Sequence, residues 1–296
     1  EYVGGQLGKG TSLITAKFST ESDNYNAPGD MTAEITVEAL SRVVSWTNQT
    51  FVYNNTNQVP TPSFVDVDGT KRTLPVIETG NIGAGDHTAT ADTSDPNLSN
   101  YSFIGAEKEY SIAKANYTMN VSFASDLLTY NGREQNLAVT GTLPTGLDNV
   151  KVEVSYSEGL TDAGSKLITA TFTTASTNYN APQKMEATLT IDKKPASIRW
   201  EDTSFVFDNI QKVPKAWYID ASGDQQYLDV EGARTNASIA AYTATAVTEG
   251  GGLDNYAFSN RTAYFTIAKA DYDTDSLLFE DIEVTYTGAA QSPVVT

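Results

Sequence analysis

The apolar positions of this 296-residue chain fall in short runs in which hydrophobic and polar residues alternate. Alternation with a period of two is typical of a β-strand that buries one face. Residues with turn propensity separate the runs, and no stretch keeps an amphipathic helical period for more than about two turns. The pattern therefore predicts an all-β fold.

Residues 41–115 show the pattern most clearly. They contain seven candidate strands of 4 to 7 residues: SRVVSW, TFVYN, SFVDV, TLPVIE, HTATADT, YSFIG and EYSIAK. Asp68-Gly69 follows SFVDV and is a signal for a two-residue hairpin, and Asn131-Gly132 plays a similar part after LLTY. Seven short strands within such a length predict a small β-sandwich.

The chain is a tandem duplication. Residues 13–37 (LITAKFSTESDNYNAPGDMTAEITV) match residues 167–191 (LITATFTTASTNYNAPQKMEATLTI) at 15 of 25 positions without a gap. Two further matched pairs of segments are 46–69 with 200–223, and 87–117 with 242–272. The similarity is too long to be chance, so the larger period spans about half of the chain.

A second, shorter period lies inside the first and spans about a quarter of the chain. The dipeptide Asn-Tyr recurs at nearly equal intervals, at Tyr25, Tyr101, Tyr179 and Tyr256. An aromatic residue on an early strand recurs with the same spacing, at Tyr53, Tyr130, Phe207 and Tyr286. Units of this shorter length therefore follow one another, with two unit types alternating.

The period predicts five parts. Three are complete units, namely repeat 2 (41–115), repeat 3 (116–194) and repeat 4 (195–270). Residues 1–40 match the C-terminal half of a unit and are called repeat 1, while residues 271–296 match the N-terminal strands of a further unit. The links AKANY and IDKKPAS are short and lack Gly/Ser tracts, so we expect closely held repeats that form an elongated rod.

The recurring elements resemble a known family. They are YN on an early strand, a segment such as GAGDHTATA, the dipeptide NY, and a closing strand such as YSIAKANY or YFTIAKADY. This pattern resembles the MBG-type (YDG/YGX) immunoglobulin-like repeats of large bacterial cell-surface proteins and adhesins, over essentially the whole chain. Repeat 4 departs from it, because SIAAYTATA (238–246) lacks the AG element.

The resemblance implies tandem immunoglobulin-like β-sandwich repeats on the outside of a bacterial cell, at its surface or wall. It implies a non-catalytic stalk that projects a binding domain from the cell, and no catalytic residue to carry over. The alternative is an adhesive module that recognises host mucin, glycan or protein. Neighbouring repeats of the same chain are the partners expected in either case.

Composition limits the other partners. The formal net charge of −18, from 37 acidic and 19 basic residues, disfavours nucleic acid. Apolar runs are far shorter than the roughly 18 to 20 residues of a membrane helix, so we expect no membrane insertion here. Cysteine is absent, which removes disulfides and thiolate chemistry. The chain opens on Glu1 rather than Met, and we expect it to be a piece of a longer protein.

Aromatic residues supply the candidate ligand contacts. Trp46 and Trp200 occupy equivalent positions, and we expect both to pack inside the protein, since a strand tryptophan buries a large area. Trp217 breaks the repeat, because Ser63 stands at the equivalent position, and Tyr218 lies beside it. An aromatic pair that belongs to one repeat only is the candidate contact for a ligand.

Acidic residues raise the question of calcium, a cation that prefers oxygen ligands. Asp66 and Asp68 lie in DVDGT, where a hairpin turn is the favoured interpretation. A second acidic set is Asp271, Asp273, Asp275, Glu280, Asp281 and Glu283, for which a solvated edge is favoured over a calcium site. His87, the only histidine, is expected to be an ordinary strand residue. We therefore expect neither a cofactor nor an enzyme.

The two ends predict one further interaction. Residues 1–40 lack the first strands of their unit, whereas residues 271–296 supply such strands. The end of one molecule can thus complete the start of the next by strand addition. Such head-to-tail self-association is heterologous and propagates along a line.

Overall fold

A computed structural model of the chain describes residues 1–47, 50–78, 80–274 and 277–295. Over these residues it contains 28 β-strands and only two short 3-10 helices, Pro96–Leu98 and Gly251–Asn255. The predicted all-β class is therefore confirmed.

The chain forms two compact units. The first consists of Glu1–Ser122, Val139–Ser155 and Ala170–Met185, and the second of Phe123–Ala138, Tyr156–Thr169 and Glu186–Thr296. The division into five parts drawn from the sequence period stays a prediction, and the repeat numbers refer to the sequence segments.

Repeat 1 contributes three strands to the first unit. They form an antiparallel sheet in the order β1 (Tyr2–Val3), β2 (Gly10–Ala16) and β3 (Met31–Val37). Apolar side chains of this sheet remain in contact with solvent, and Ile35, for example, is 39% exposed. The sheet therefore has an apolar face that the described residues leave uncovered.

Repeat 2 lies wholly within the first unit. Its strands are β4 (Leu40–Val43), β5 (Ser45–Trp46), β6 (Phe51–Val52), β7 (Pro62–Val65), β8 (Lys71–Thr73), β9 (Gly85–Thr90), β10 (Tyr101–Ile104) and β11 (Glu107–Ala113). They form the pair β4-β10 and the sheets β5-β7-β8 and β6-β11-β9. Val44, Phe64, Leu74 and Ala91 form the buried cluster of this sandwich-like arrangement.

Six of the seven strands predicted in repeat 2 coincide with observed strands over at least two residues. The seventh, TLPVIE (73–78), is wrong, because strand β8 ends at Thr73. The next residues change partner: the Leu74 N–H donates to the Pro62 carbonyl, whereas Val76 forms a bridge with Ala91. Pro75 lies between them and has no N–H to donate, so the chain turns a corner there instead of extending a ladder.

The first unit also holds parts of repeat 3. The two-stranded sheets are β12 (Ala115–Asn116) with β18 (Tyr179–Asn180), and β13 (Asn120–Ser122) with β15 (Thr140–Thr142). Repeat 3 also has a four-stranded sheet in the order β14 (Asp126–Thr129), β19 (Met185–Asp192), β17 (Gly164–Thr173) and β16 (Glu153–Tyr156), of which β14 belongs to the second unit. Along the chain, the unit boundary falls within β16, β17 and β19.

Repeat 4 lies wholly within the second unit. Its sheets are β20 (Lys194–Ser197) with β27 (Tyr256–Ser259); β21 (Arg199–Glu201), β23 (Lys215–Ile219) and β24 (Gln225–Leu228); and β22 (Ser204–Val206), β28 (Thr262–Ala268), β26 (Tyr242–Ala246) and β25 (Val230–Glu231). Strand β28 alternates as the sequence predicts, because Phe265 and Ile267 are buried while their neighbours are more exposed.

Each complete repeat pairs its early strands in parallel. β4 is parallel to β10, β12 to β18 and β20 to β27, and the same holds for β6 with β11, β14 with β19 and β22 with β28. Asn131-Gly132 is accordingly a turn but not a hairpin, since β14 pairs with the distant β19. The sequence did not predict these parallel pairs, because alternation carries no information about strand direction.

The DVDGT segment forms a hairpin, as the sequence predicts, but its loop has three residues instead of two. The Asp66 N–H donates to the Thr70 carbonyl and the Gly69 N–H to the Asp66 carbonyl, leaving three loop residues. Gly69 has φ +81°, the left-handed conformation that a three-residue hairpin loop requires at this position. Asp220–Asp224 in repeat 4 repeats the same hydrogen bonds.

The links between repeats are very short. Strand β3 is followed by β4 after two residues, and one residue each separates β11 from β12 and β19 from β20. Links of one or two residues leave almost no conformational freedom between one strand and the next.

Candidate functional site

Three of the four periodic Asn-Tyr dipeptides join one repeat to the repeat before it. In each, the asparagine side-chain oxygen accepts a hydrogen bond from a backbone N–H that lies 91 to 94 residues earlier. The pairs are Asn100 with Lys9 (2.7 Å), Asn178 with Ala84 (2.8 Å) and Asn255 with Ala163 (2.7 Å). We call this contact the asparagine clamp.

The donor of each clamp lies just before a glycine with unusual backbone geometry. Gly10, Gly85 and Gly164 have φ of +142°, +138° and +152°, a region that residues other than glycine rarely adopt. Each glycine is the first residue of a strand, β2, β9 or β17. At Gly8 an added Cβ would lie 2.7 Å from the Asn100 side-chain oxygen, so this clamp packs closely against the glycine.

Carboxylates orient two of the three clamp amides. Asn178 Nδ2 lies 3.3 Å from Asp148 Oδ2, and Asn255 Nδ2 lies 2.9 Å from Asp162 Oδ1. An ionised carboxylate only accepts hydrogen bonds, so it holds the NH2 end of the amide and leaves the oxygen facing the backbone N–H. The orientation of the clamp is therefore fixed by charge.

Asp148 stays ionised in this arrangement. Burial would raise its pKa, but hydrogen bonds from Ser176 (2.5 Å), the Val150 N–H and Asn178 outweigh the burial, and the pKa is lowered from its ordinary value. A charged acceptor strengthens the hydrogen bonds that it receives.

The tyrosine of the dipeptide packs between aromatic rings. Tyr179 is 7% exposed and stacks on Tyr117 with ring centroids 4.3 Å apart, and it meets the edge of Tyr53 at 5.5 Å. Tyr256 likewise meets the edge of Tyr130 at 5.4 Å. Tyr53 and Tyr130 are the early-strand aromatics of the preceding repeat, so each contact crosses a junction and contributes about 0.5–1.5 kcal/mol beyond the buried area.

The tyrosine hydroxyls also bond to the hairpin loop of their own repeat. The Tyr256 hydroxyl accepts from the Ala221 N–H (2.9 Å), and the Tyr179 hydroxyl accepts from the Leu147 N–H (3.1 Å). In repeat 2 the direction is reversed, and the Tyr101 hydroxyl donates to Asp66. One dipeptide therefore contacts the preceding repeat through asparagine and its own hairpin through tyrosine.

The sequence revealed the dipeptide as a marker of the period but not as a clamp. Its hydrogen-bond partner is a backbone group, which no residue type identifies. One signal in the sequence marks the donor segment: a glycine recurs with nearly the same period as the dipeptide. It occurs as Lys9-Gly10, Ala84-Gly85 and Ala163-Gly164, and we call these residues the AG segment.

Of the two candidate ligand contacts, only Trp217 has an accessible ring. Tyr218 is 6% exposed and packs against Tyr256 and Phe258, with centroids 5.0 Å from each. Trp217 is half-buried on the opposite face of β23, where its Nε1 donates to Glu201 Oε1 (2.9 Å) and the Arg199 guanidinium lies 5.4 Å from the ring centroid. Ligand contact by this pair stays a prediction. Because the Tyr218 ring is buried, only the Trp217 ring is accessible to a ligand in this conformation.

Trp46 and Trp200 pack as expected. Trp46 lies against the buried cluster of repeat 2, and Trp200 lies against the buried clusters of repeat 4. Their indole nitrogens donate to equivalent carbonyls, of Gly105 and Asn260, each at 2.9 Å. The two half-buried tryptophans therefore make equivalent packing and hydrogen-bond contacts in their repeats.

The acidic pair of DVDGT is engaged inside its hairpin. Asp66 accepts hydrogen bonds from the Tyr101 hydroxyl and the Val67 N–H and pairs with Arg72, and these contacts lower its pKa. Asp68 accepts from the Thr70 N–H at 2.8 Å, which lowers its pKa as well. The hairpin interpretation of the pair is confirmed.

The remaining candidates are placed as follows. His87 lies in β9, and its Nε2 is 2.8 Å from the Gly83 carbonyl oxygen. Asp275 of the second acidic set lies outside the described residues. Among the residues that are described, no group of three or more His, Asp or Glu could hold a metal ion. The same residues include no helix that is long and apolar enough to span a membrane.

Comparison with known proteins adds no family. No model of a protein family matches the chain, and no curated protein matches it significantly. The resemblance to MBG-type repeats therefore stays a prediction that rests on the recurring motifs.

Proposed function

We propose that this chain is a non-catalytic stalk region of a bacterial cell-surface protein, which holds a binding domain away from the cell. The observation that carries the proposal is the asparagine clamp, which occurs at three successive junctions with distances of 2.7 to 2.8 Å. A stalk needs identical joints between consecutive units, whereas a binding protein needs one distinctive site.

Stiffness is the physical argument for a stalk. Each junction has a link of only one or two residues, and two of the three also have an aromatic contact across the joint. The clamps of Asn178 and Asn255 are partly buried, and a hydrogen bond lost at such a site costs about 1 kcal/mol or more, so bending either joint away from its clamp is unfavourable. The clamp of Asn100 is exposed and contributes less. The array thereby resists bending at each junction separately, as expected for repeats that contact only their neighbours.

The location outside a bacterial cell rests on the motif resemblance and on composition. A chain without cysteine has no disulfides and must be held by packing and hydrogen bonds. The net charge of −18 suits a solvated surface region.

Small-angle X-ray scattering tests the stalk. Three complete repeats with two partial ones, built from strands that rise about 3.3 Å per residue, would extend about 120–160 Å and give a radius of gyration of about 35–46 Å. A compact chain of the same length would have a radius of gyration of about 19 Å. Measurement over a series of dilutions excludes self-association as the source of a large value. A radius of gyration near the compact value would refute the stalk.

The alternative is an adhesive module for host mucin, glycan or protein, and Trp217 favours it. This ring is absent from the equivalent position of repeat 2 and is flanked by Arg199 and Glu201, which supply polar groups beside an aromatic surface. Aromatic surfaces with a few polar groups are common in binding sites. The test is saturable binding of the labelled chain to a panel of glycans and mucins. Binding that is lost in Trp217→Ala but kept in Tyr264→Ala, an exposed tyrosine elsewhere, would support this function.

A further inference from the structure

The outer face of one sheet in repeat 4 carries a row of three large side chains. In the sheet β21-β23-β24, Arg199 lies opposite Trp217, and Trp217 lies opposite Tyr227. Ala216 and Tyr218, on either side of Trp217 along β23, are buried, so Trp217 faces outward. Neighbouring strands are about 4.8 Å apart, so the row is about 10 Å long, the length of one or two sugar rings. We call Arg199, Trp217 and Tyr227 the outer row.

Repeat 2 has small residues at the same three positions. In its equivalent sheet β5-β7-β8, Ser45 lies opposite Ser63, and Ser63 lies opposite Thr73. The core beneath the row is similar in the two repeats, because Phe64 is buried in repeat 2 as its equivalent Tyr218 is in repeat 4. The fold therefore does not require the large side chains of the outer row, and repeat 4 differs from repeat 2 at all three positions together.

The exposure of this face is a property of the repeat itself. Repeat 2 is followed by repeat 3, and yet Ser45 and Thr73, at the two ends of its row, are exposed. A following repeat thus leaves this face of the sheet in contact with solvent.

Two contacts hold Trp217 in place within the outer row. Its Nε1 donates to Glu201 Oε1 at 2.9 Å, and the Arg199 guanidinium lies 5.4 Å from the ring centroid. The attraction between this cation and the ring keeps the guanidinium at the surface of the sheet. Tyr227, which is 62% exposed, adds a second aromatic ring. The face of an aromatic ring is partially negative and attracts the C–H groups of a sugar ring.

A groove beside the outer row adds positive charge. It has a volume of about 470 Å³, and both Lys194 and Arg199 line it. Within the described part of the chain, neither side chain pairs with a carboxylate. Asp220, which also lines the groove, accepts hydrogen bonds from the Ser222 and Asp224 N–H groups of its own hairpin loop. The cations are therefore the groups that remain for a ligand.

Both cations are absent from the equivalent positions of repeat 2. The register of β4 with β10 matches that of β20 with β27, and it places Leu40 where Lys194 stands. Ser45 likewise stands in place of Arg199. The chain has a net charge of −18, so two cations without a carboxylate partner at one groove favour an anionic ligand.

We propose that the outer row and its groove bind a sugar that carries a carboxylate, either a sialic acid or a uronic acid. The planar Arg199 guanidinium can donate two parallel hydrogen bonds to the carboxylate. The rings of Trp217 and Tyr227 pack against the C–H groups of the sugar. This site rests on the alternative, adhesive function and gives it a class of ligand, and it does not depend on the stalk function.

The indole N–H signals of the three tryptophans test the proposal by NMR of the intact chain. The probes are sialyllactose, a hyaluronan tetrasaccharide that contains uronic acid, and lactose, which has no carboxylate. We expect an acidic probe to move the Trp217 signal in a saturable way, and the two acidic probes distinguish the two sources of carboxylate. The Trp46 and Trp200 signals should stay in place, because those indoles donate to carbonyls of their own repeats. Lactose should bind about 3- to 10-fold more weakly than the acidic probe.

Variants that introduce the residues of repeat 2 are expected to fold, because repeat 2 has them at the equivalent positions. Arg199→Ser should weaken binding of the acidic sugar about 3- to 10-fold, and Tyr227→Thr about 2- to 10-fold. Arg199→Lys should lose less than Arg199→Ser, because it keeps the charge without the planar fork. Arg234→Ser is the matched control, since the Arg234 guanidinium also lies beside a ring, 5.7 Å from the Tyr242 centroid, and its removal should leave binding unchanged.

Three results would overturn the site. One is a Trp217 signal that neither acidic sugar moves at concentrations up to about 10 mM. Another is an equal shift with a short peptide of glutamate, which carries carboxylates but no sugar ring. The third is an equal loss of binding in Arg234→Ser and Arg199→Ser. X-ray scattering tests the stalk separately: an extended chain that binds no acidic sugar would keep the stalk and lose the site, and a compact chain that binds one would do the reverse.

Discussion

Removal of one asparagine clamp tests the junction most directly. In Asn178→Ala the Ala84 N–H loses the side-chain oxygen that accepts its hydrogen bond at 2.8 Å. Ala84 and Asn178 are both half-buried. The substitution leaves Gly85, which follows the donor, in place. A buried donor left without a partner costs about 1–3 kcal/mol, and partial exposure at this site places the loss at about 1–2 kcal/mol. That loss corresponds to a change of about 5- to 30-fold in the equilibrium for local opening.

Amide hydrogen exchange of individual residues is the suitable assay, because repeats open locally and a single global free energy of unfolding is poorly defined for them. We expect the Ala84 N–H to exchange about 5 to 30 times faster in Asn178→Ala. The Ala163 N–H, which Asn255 binds at the next junction, should keep its rate. Asn255→Ala should produce the reverse result.

Asn24→Ala is the matched control. Asn24 belongs to the same NYNAP sequence but is exposed, and in the described part of the chain its side chain has no hydrogen bond. This variant should change neither amide when the chain is dilute. If Ala84 exchanged at the parent rate in Asn178→Ala, or if Ala163 accelerated equally, the clamp would not be the contact that holds the junction.

Two further predictions concern the hairpin and the core. The hydrogen bond from Tyr101 lowers the pKa of Asp66 in the folded chain. The ionised Asp66 therefore stabilises the fold at pH values above its pKa in the unfolded chain. This stabilisation is lost as the pH falls through the lower pKa of the folded chain. Tyr101→Phe should raise the pKa of Asp66 in a carboxyl-resolved NMR titration and leave that of Asp220 unchanged, and an unmoved Asp66 would contradict the role of the hydroxyl. The Leu189 side chain is 0% exposed, so Leu189→Ala should lower the free energy of unfolding, measured by thermal denaturation of the cooperative transition that includes this core, by about 2–5 kcal/mol. The Leu167 side chain is 57% exposed, so Leu167→Ala should lower it by less than about 0.5 kcal/mol. Equal losses in the two variants would contradict the assigned core face.

The strands and their period could be read from the sequence because both are local properties. Alternation in residues 109–114 reflects the burial of Ile112, and the hairpin at Asp66–Thr70 follows from Gly69. Strand TLPVIE was misjudged because its apolar residues continue across Pro75, where the chain changes hydrogen-bond partner.

The clamp could not be read in this way, since its two halves are 91 to 94 residues apart and one half is a backbone N–H. Strand direction was equally hidden. The pair of β14 with β19 is parallel, and no pattern within residues 126–129 distinguishes a parallel partner from an antiparallel one. Burial of Tyr218 also escaped prediction, because Trp217 and Tyr218 are adjacent and the sequence does not say which face of β23 is covered.

The clamps also bear on how such a chain changes in length over evolution. The junctions of repeats 1 with 2, 2 with 3 and 3 with 4 use the same contact, although the two unit types alternate. Repeats 2 and 3, which are of the two different types, thus each carry both the asparagine whose oxygen accepts and the backbone N–H that donates to the asparagine of the next repeat. Recombination that gains or loses one whole unit therefore brings together ends that already match, and the length of the array can change in single steps without a new interface having to arise.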